Sequence, residues 1–287
     1  MSDPTPVRTA RTQAEIRELA LVLAAAGIEH QVTGRRGEWR LVVAPDDAEA
    51  AASALQAYER EHAAGPAPGE VAFESYAGFH LAAALWAFYV VTGPAWRGSS
   101  WATAGAADAD RLLHGEPWRA VTALTLHADA AHLLGNVVSC AVFVTALARL
   151  IGPGVAAVAV LVAGAGGNFL AAALRGTAYV SVGASTGIFG AIGILGGLEF
   201  ARRRGRRRAW LPLAGSLALL AMLGTSPRSD LLAHLFGLAV GVVLGVGLGF
   251  VPLLHNRVVQ AVLAGSALAV VAGAWLLAVG ISGLPGR

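Results

Sequence analysis

Polar chemistry sits inside or at the edge of apolar runs at five positions of this sequence: His132, Asn136, Ser185, Asp230 and His234. An ionisable or nucleophilic group in such a run is costly without a partner or a wet cavity, so each is a functional candidate. A serine hydroxyl is a weak nucleophile until an adjacent base takes its proton. Histidine suits that role near neutral pH and can return the proton to a leaving amine. The pair also needs donors aimed at the oxyanion of the tetrahedral intermediate. His132 and Asn136, four residues apart, project from one helical face, and both carry N–H groups. Each residue has a plainer reading too. Ser185 fits a helix N-cap, His234 a buried histidine bonded to a carbonyl, and His132 with Asn136 an interhelical hydrogen-bonding pair. Asp230 fits the N-cap of the helix it opens as well as a third member of a triad.

The neighbours of these residues are small. Ser185 lies in Gly183-Ala184-Ser185-Thr186-Gly187, where another helix or a substrate backbone can approach closely. His234 is followed by Gly237, Gly241, Gly245 and Gly249 at intervals of four, a smooth face that packs on protein and turns His234 away from lipid. Other chemistries lack their motifs. There is no His-Glu-x-x-His, and His127 and His132, five apart around Asp129, do not share a helical face. Asp129 and Asp230 stand at the edges of apolar segments, which does not suit a pair of catalytic aspartates. No glycine-rich phosphate loop follows a strand, and no metal or other cofactor is implied.

These residues need elements to hold them. Of 287 residues, 56% are apolar and 14% charged, against about 25% charged in a soluble domain. A net charge of +3 gives no reason to expect a nucleic-acid partner. The basic residues are all Arg, and the single Cys140, in an apolar run, reads as a small buried hydrophobe. Residues 1–75 hold seven Arg and twelve acids, a net of −5, whereas residues 76–287 hold fourteen Arg and six acids, a net of +8. Seven apolar segments follow the acidic part, about 76–93, 130–150, 154–174, 184–201, 209–225, 231–252 and 258–281. Each is long enough, at about 20 residues, to cross a bilayer as a helix. The chain thus reads as a polytopic membrane protein with a small soluble head.

Orientation follows from Arg placement. The Arg202–Arg208 run, six Arg in seven residues, should be cytoplasmic, with Arg149 and Arg257 on the same side. Arg97, Arg111, Arg119, Arg175 and Arg228 then fall outside. This places the head in the cytoplasm and makes spans two, four and six begin at the outer face. His132 with Asn136, Ser185, and His234 then lie at similar depth on one side. Below that level the spans carry little polarity beyond Asn168, read as a helix–helix hydrogen bond, and Glu199, near enough to the Arg run to pair with it. A channel or transporter would distribute polar groups through the spans.

The head, residues 1–64, reads as a small α+β module of order α-β-β-α. Its helices are Gln13–Ala26, capped by Thr12, and Asp46–His62. Its strands are Ile28–Val32 and Trp39–Val43 around the turn-prone Gly34–Gly37. The short first apolar segment, flanked by acids, is not a signal peptide. Residues 65–75, opening with Gly65-Pro66-Ala67-Pro68-Gly69, read as a linker. The head holds no nucleophile–base pair or metal spacing, which leaves a regulatory, positioning or passive role.

Four motifs resemble those of the rhomboid family of intramembrane serine proteases, in that family's order and spacing. They are Glu116-x-Trp118-Arg119, His127-(x4)-His132-(x3)-Asn136, Gly183-x-Ser185, and Ala233-His234-x-x-Gly237-x-x-x-Gly241. The resemblance implies an all-α core of six spans over residues 76–252, with 253–287 as an additional C-terminal transmembrane helix. It implies a Ser–His dyad without a triad carboxylate: Ser185 as nucleophile, His234 as base and later acid. His132, Asn136 and the Ser185 N–H would stabilise the oxyanion, and Phe189 would orient His234 by stacking. Trp118 and Arg119 match positions that the family uses structurally. The implied activity is hydrolysis of a peptide bond in or beside a transmembrane segment of a membrane-protein substrate. Absence of outer-membrane or organelle features favours a bacterial inner membrane, and the Arg placement opens the site to its outer face. Substrate and water entry requires span five or the loop before span six to move. The rival from another class is a rhomboid-like protein that binds transmembrane helices without cutting, but such proteins lose the serine or the histidine. Thr186 departs from the family, which has Gly after the serine. A β-branched residue beside the oxyanion hole would narrow it or alter which substrates fit.

Overall fold

A computed structural model describes residues 4–10, 12–35, 37–62, 73–95, 99–176, 179–203, 205, 208–223, 230–252, 254 and 256–282. The Gly65–Gly69 segment, the loop at 224–229, Arg97, Arg228 and three of the six Arg in 202–208 lie outside the described residues. The chain divides into two compact units, residues 1–71 and 72–287.

The first unit is a three-stranded antiparallel sheet of order β1-β3-β2, from β1 (Thr5–Ala10), β2 (His30–Arg35) and β3 (Glu38–Val43). Helices α1 (Gln13–Ala25) and α2 (Ala48–His62) pack on it through Ile16, Leu23, Leu41, Val43, Ala51 and Leu55. The Thr12 hydroxyl accepts from the Glu15 N–H at 3.2 Å, the expected cap. The order is therefore β-α-β-β-α, one strand more than the pattern suggests. β1 escapes a periodicity reading because it is an edge strand with one buried residue, Ala10, a proline at Pro6 and a register shift between Pro6 and Arg8. Its Arg8 meets Glu59 of α2 through two hydrogen bonds, of 3.0 and 2.9 Å.

In the second unit, each of the seven apolar segments contains a helix among the described residues: Ala77–Thr92, Ala130–Ile151, Pro153–Arg175, Ser185–Arg202, Leu211–Leu223, Leu231–Leu248 and Arg257–Ser282. We number them spans one to seven. Spans two, three, six and seven are long and apolar enough to cross a membrane. Span one, at 16 residues, reaches only about 24 Å at 1.5 Å per residue. Span four is the central helix. Thirteen of its eighteen residues are buried, and it meets protein where an outer helix would meet lipid. The architecture is an all-α polytopic membrane core with an added seventh helix and a small α+β unit before it.

Glycine decides how closely spans four and six pack. A Cβ at Gly241 would lie 2.9 Å from C and 3.0 Å from Cα of Gly190, and closer still to its carbonyl oxygen. Gly245 stands likewise against Ile194, as does Gly193 against Leu238 and Gly197 against Val242. The stripe read from the sequence on span six thus meets a second stripe on span four, backbone against backbone. Span two is α-helical to Ser139, turns through a π-helical segment at Cys140–Val144, and resumes to Ile151.

The connection between spans one and two is a built structure. Arg119, 1% exposed, donates to Glu116 (2.6 Å), Ala106 O (2.9 Å) and Thr103 O (2.9 Å). Its charge is thereby paired and its donors are used within the connection, which matches the structural role expected of it. Asn168 of span three donates to Ala120 O of this same connection at 3.0 Å, so its partner is a loop helix and not another span. Glu199 pairs with Arg203 at 2.5 Å, as its place beside the Arg run suggests.

Candidate active site

Ser185 is the first residue of span four, so its own N–H lies in the turn whose donors have no intrahelical partner. Gly183, two residues earlier, has φ +132, a conformation that side chains disfavour. A Cβ there would also sit 2.7 Å from Cε1 and Nε2 of His132, and 3.5 Å from the Ser185 oxygen. Glycine at 183 is what lets the His132 ring lie beside the serine.

His234, one turn into span six and 4% exposed, places Nε2 2.7 Å from the Ser185 Oγ. The Phe189 ring, one turn after Ser185, lies against the imidazole with centroids 4.7 Å apart and planes tilted by 35°. Asp230 is the N-cap of span six. Its Oδ1 accepts from the Ala233 N–H at 3.1 Å and stands 3.3 Å from an Arg175 nitrogen. Those contacts agree with the capping reading of Asp230. The Arg175 guanidinium also lies over the Tyr179 ring at 4.1 Å.

Span two opens on Asp129, whose Oδ1 accepts from the His132 N–H at 2.8 Å. Asn136 is buried and donates one N–H to His132 O at 3.1 Å, so its amide has a second N–H to offer. His127 is fully buried just before this helix, its ring edge-on to that of His132 at 5.3 Å. Burial, with His132 adding to it, pushes the His127 imidazole down to about 4, so it stays neutral at physiological pH.

Ser185, His234, His132, Asn136 and Phe189 all line one cavity of about 1000 Å³, together with Asp129, Arg175 and Asp230. All five candidate residues are therefore brought together. A second cavity of about 570 Å³, lined mainly by apolar groups of spans four and five, shares Phe143 and Ile192 as walls with the first. Thr186 behaves otherwise than expected. It is 2% exposed and absent from the cavity wall. Its Cγ2 points at Gly167 of span three, where a Cβ would lie 2.6 Å away, and at Gly237 of span six, where a Cβ would lie 3.0 Å away. The methyl fills a junction of three helices and does not narrow the cavity. Successive residues of a helix point about 100° apart, so a side chain following the serine need not face the cavity.

The arrangement can do acyl-transfer chemistry: a hydroxyl in hydrogen-bonding reach of an imidazole, with N–H donors nearby. Sequence reasoning missed Arg175 and Tyr179 beside Asp230. An arginine at the end of an apolar segment was the available signal, and orientation counting absorbed it.

Comparison with known proteins points to one family. The family model described as "Rhomboid domain" matches residues 114–251. The Bacillus subtilis (strain 168) protein named "Putative rhomboid protease YdcA" is 33% identical over 137 residues, covering 46% of this chain and 68% of that protein. Two Arabidopsis thaliana proteins are each 32% identical over 145 residues, or 49% of this chain. They are "RHOMBOID-like protein 1", of which 37% is covered, and "RHOMBOID-like protein 6, mitochondrial", of which 47% is covered. On the match to YdcA and the family model together, this chain belongs to the rhomboid family.

Proposed function

We propose that the protein is an intramembrane serine endopeptidase that cuts peptide bonds in or next to transmembrane segments of membrane-protein substrates. The observation that carries this reading is the 2.7 Å contact between His234 Nε2 and Ser185 Oγ at the wall of a cavity large enough for an extended peptide. His234 takes the serine proton as Oγ attacks the scissile carbonyl, and the new C–O⁻ is met by His132, Asn136 and the Ser185 N–H. Collapse expels the amine, which receives the proton from His234, and leaves an acyl-serine. Water, deprotonated by the same imidazole, then releases the acid and restores the serine. No cofactor takes part. Phe189 holds the imidazole by its face.

A helical substrate hides its carbonyls in its own hydrogen bonds, so it must unwind to reach Ser185. The second cavity beside span five supports movement of that helix as the way in. The Arg pattern supports a cytoplasmic head and a site open to the outer face of a bacterial inner membrane. The domain reading that goes with this is a cytosolic α+β head at 1–64, a linker at 65–75, a catalytic core at 76–252 and an extra helix at 253–287. The test is cleavage of a fluorogenic transmembrane peptide library in lipid nanodiscs, with products mapped by mass spectrometry. Wild type should cut and Ser185→Ala should not. Equal cutting by both would remove the mechanism, and binding of library peptides without cutting would favour a helix-binding protein.

A further inference from the structure

The family match ends at residue 251, and the seventh span begins at Arg257. Yet that helix is fastened to the core by two polar anchors. Gln260, 4% exposed, uses its whole amide. Its Oε1 accepts from the N–H groups of Gly154 (2.7 Å) and Val155 (3.1 Å), which open span three. Its Nε2 donates to Leu254 O (2.8 Å) and to Ile151 O (3.3 Å), the last residue of span two. Fifteen residues later, about 22 Å along the helix, Trp275 is 9% exposed and donates its indole N–H to the Thr125 hydroxyl at 3.0 Å. Its ring packs on Phe88 at 5.3 Å and Trp101 at 5.4 Å, and Gly105 leaves the room it occupies. Anchors at both ends fix the rotation and the height of this helix against the core.

Thr125 belongs to a segment with a direct bearing on the site. Two residues before it, Ala123 O accepts from the Gly183 N–H at 2.9 Å, and Gly183 leads into Ser185. Two residues after it, His127 lies edge-on to His132. The Thr125 hydroxyl itself donates to Thr122 O at 2.7 Å, which leaves its lone pairs to the indole. The segment Ala123–His127 thus touches the nucleophile's approach on one side and the histidine of span two on the other, and its middle residue is held by span seven.

We propose that Trp275 and Thr125 are positioning residues for the serine and the oxyanion donors, so that the seventh helix is part of the catalytic unit. This rests on the protease reading above. Neither side chain lines the cavity, so they set the placement of the reacting groups and leave ligand binding alone. Loss of the indole donor lets the segment relax by tenths of an ångström, which an acyl transfer feels in its rate.

The experiment is saturable inactivation of the full-length protein by a fluorophosphonate, read as a maximal rate and a half-saturating concentration. Trp275→Phe keeps a ring and removes the N–H, and Thr125→Val removes the acceptor. Each should lower the maximal rate about three- to tenfold, the scale of one hydrogen bond, with half-saturation unchanged. The double variant should be no slower than Thr125→Val alone, because both substitutions cut the same link and Thr125→Val also removes the donor to Thr122 O. Hydrogen exchange at residues 123–127 should quicken in step. Wild-type maximal rates in the single variants, additive losses in the double, or a change confined to half-saturation would overturn the proposal while leaving the dyad in place. Wild type that is folded and never reacts would instead sink the protease reading, and this with it. Should Trp275→Phe fail to fold, Thr125→Val carries the same test.

Discussion

Replacing Gly241 by Ala should separate spans four and six and slow reaction at Ser185, although residue 241 lies outside the cavity. The new Cβ would sit 2.9 Å from Gly190 C and 3.0 Å from its Cα, whereas carbon atoms rest about 3.5–4.0 Å apart. The three nearest atoms are all backbone of Gly190, so no side chain there can swing aside, and the two helices must part by roughly 0.5–1 Å to restore contact. Gly241 lies seven residues from His234, about 10 Å along the same helix, so much of that displacement reaches the imidazole. The Ser185–His234 contact, 2.7 Å in the native packing, would stretch towards about 3.5 Å, the outer limit of a hydrogen bond. Misplacement on this scale costs about a hundredfold in rate. The assay is the rate of fluorophosphonate labelling in detergent, beside thermal unfolding of the same sample. Gly247→Ala is the control, since among the described residues nothing lies within 4 Å of a Cβ there. It should label at the wild-type rate, with stability raised slightly by helix propensity. If Gly241→Ala labels as fast as Gly247→Ala, close packing of the two helices does not set the dyad geometry.

Other expectations are independent of that one. Phe189→Ala should slow labelling about three- to tenfold through loss of the ring against His234, with little loss in Phe189→Leu stability by comparison. Arg119→Met should lower unfolding stability by about 3–5 kcal/mol, because it removes the cation paired with Glu116 and the donor to Thr103 O and leaves Ala106 O only the Asp108 N–H. Denaturation in detergent followed by Trp fluorescence would measure it. Thr186→Gly should destabilise the junction of spans three, four and six while leaving the preferred cleavage residues unchanged, read by mass spectrometry of products. In the head, the Arg8 guanidinium holds the Glu59 carboxyl below the usual glutamate range. The pair's contribution is therefore present above the ordinary Glu value and lost as pH falls through the lowered one. For so exposed a pair it amounts to under about 1 kcal/mol, and Glu59→Gln should flatten that acid limb of a pH–stability curve.

The sequence made the site legible because membrane burial is unforgiving of polar groups. Ser185, His132, Asn136 and His234 stood out against apolar runs, and their spacing carried the family pattern. The seven helices were legible for the same reason. Thr186 was misjudged because proximity in sequence says nothing of direction: its side chain is turned into a crevice that exists only because Gly167 and Gly237 lack one. β1 was missed because an edge strand buries too little to show alternation. The anchors of span seven were open to the same reasoning that singled out Ser185 and His234, since Gln260 is a polar residue in an apolar run. Their partners, Ile151, Gly154 and Thr125, lie more than a hundred residues away and emerge only from the fold.

The central claim is that Ser185 is activated by His234. Fluorophosphonate labelling of the purified full-length protein, beside Ser185→Ala and His234→Ala, tests it without knowledge of any substrate. Labelled wild type with both variants unlabelled but folded is the expected result. Folded wild type that stays unlabelled beside an active rhomboid protease, or His234→Ala that labels as well as wild type, would contradict it.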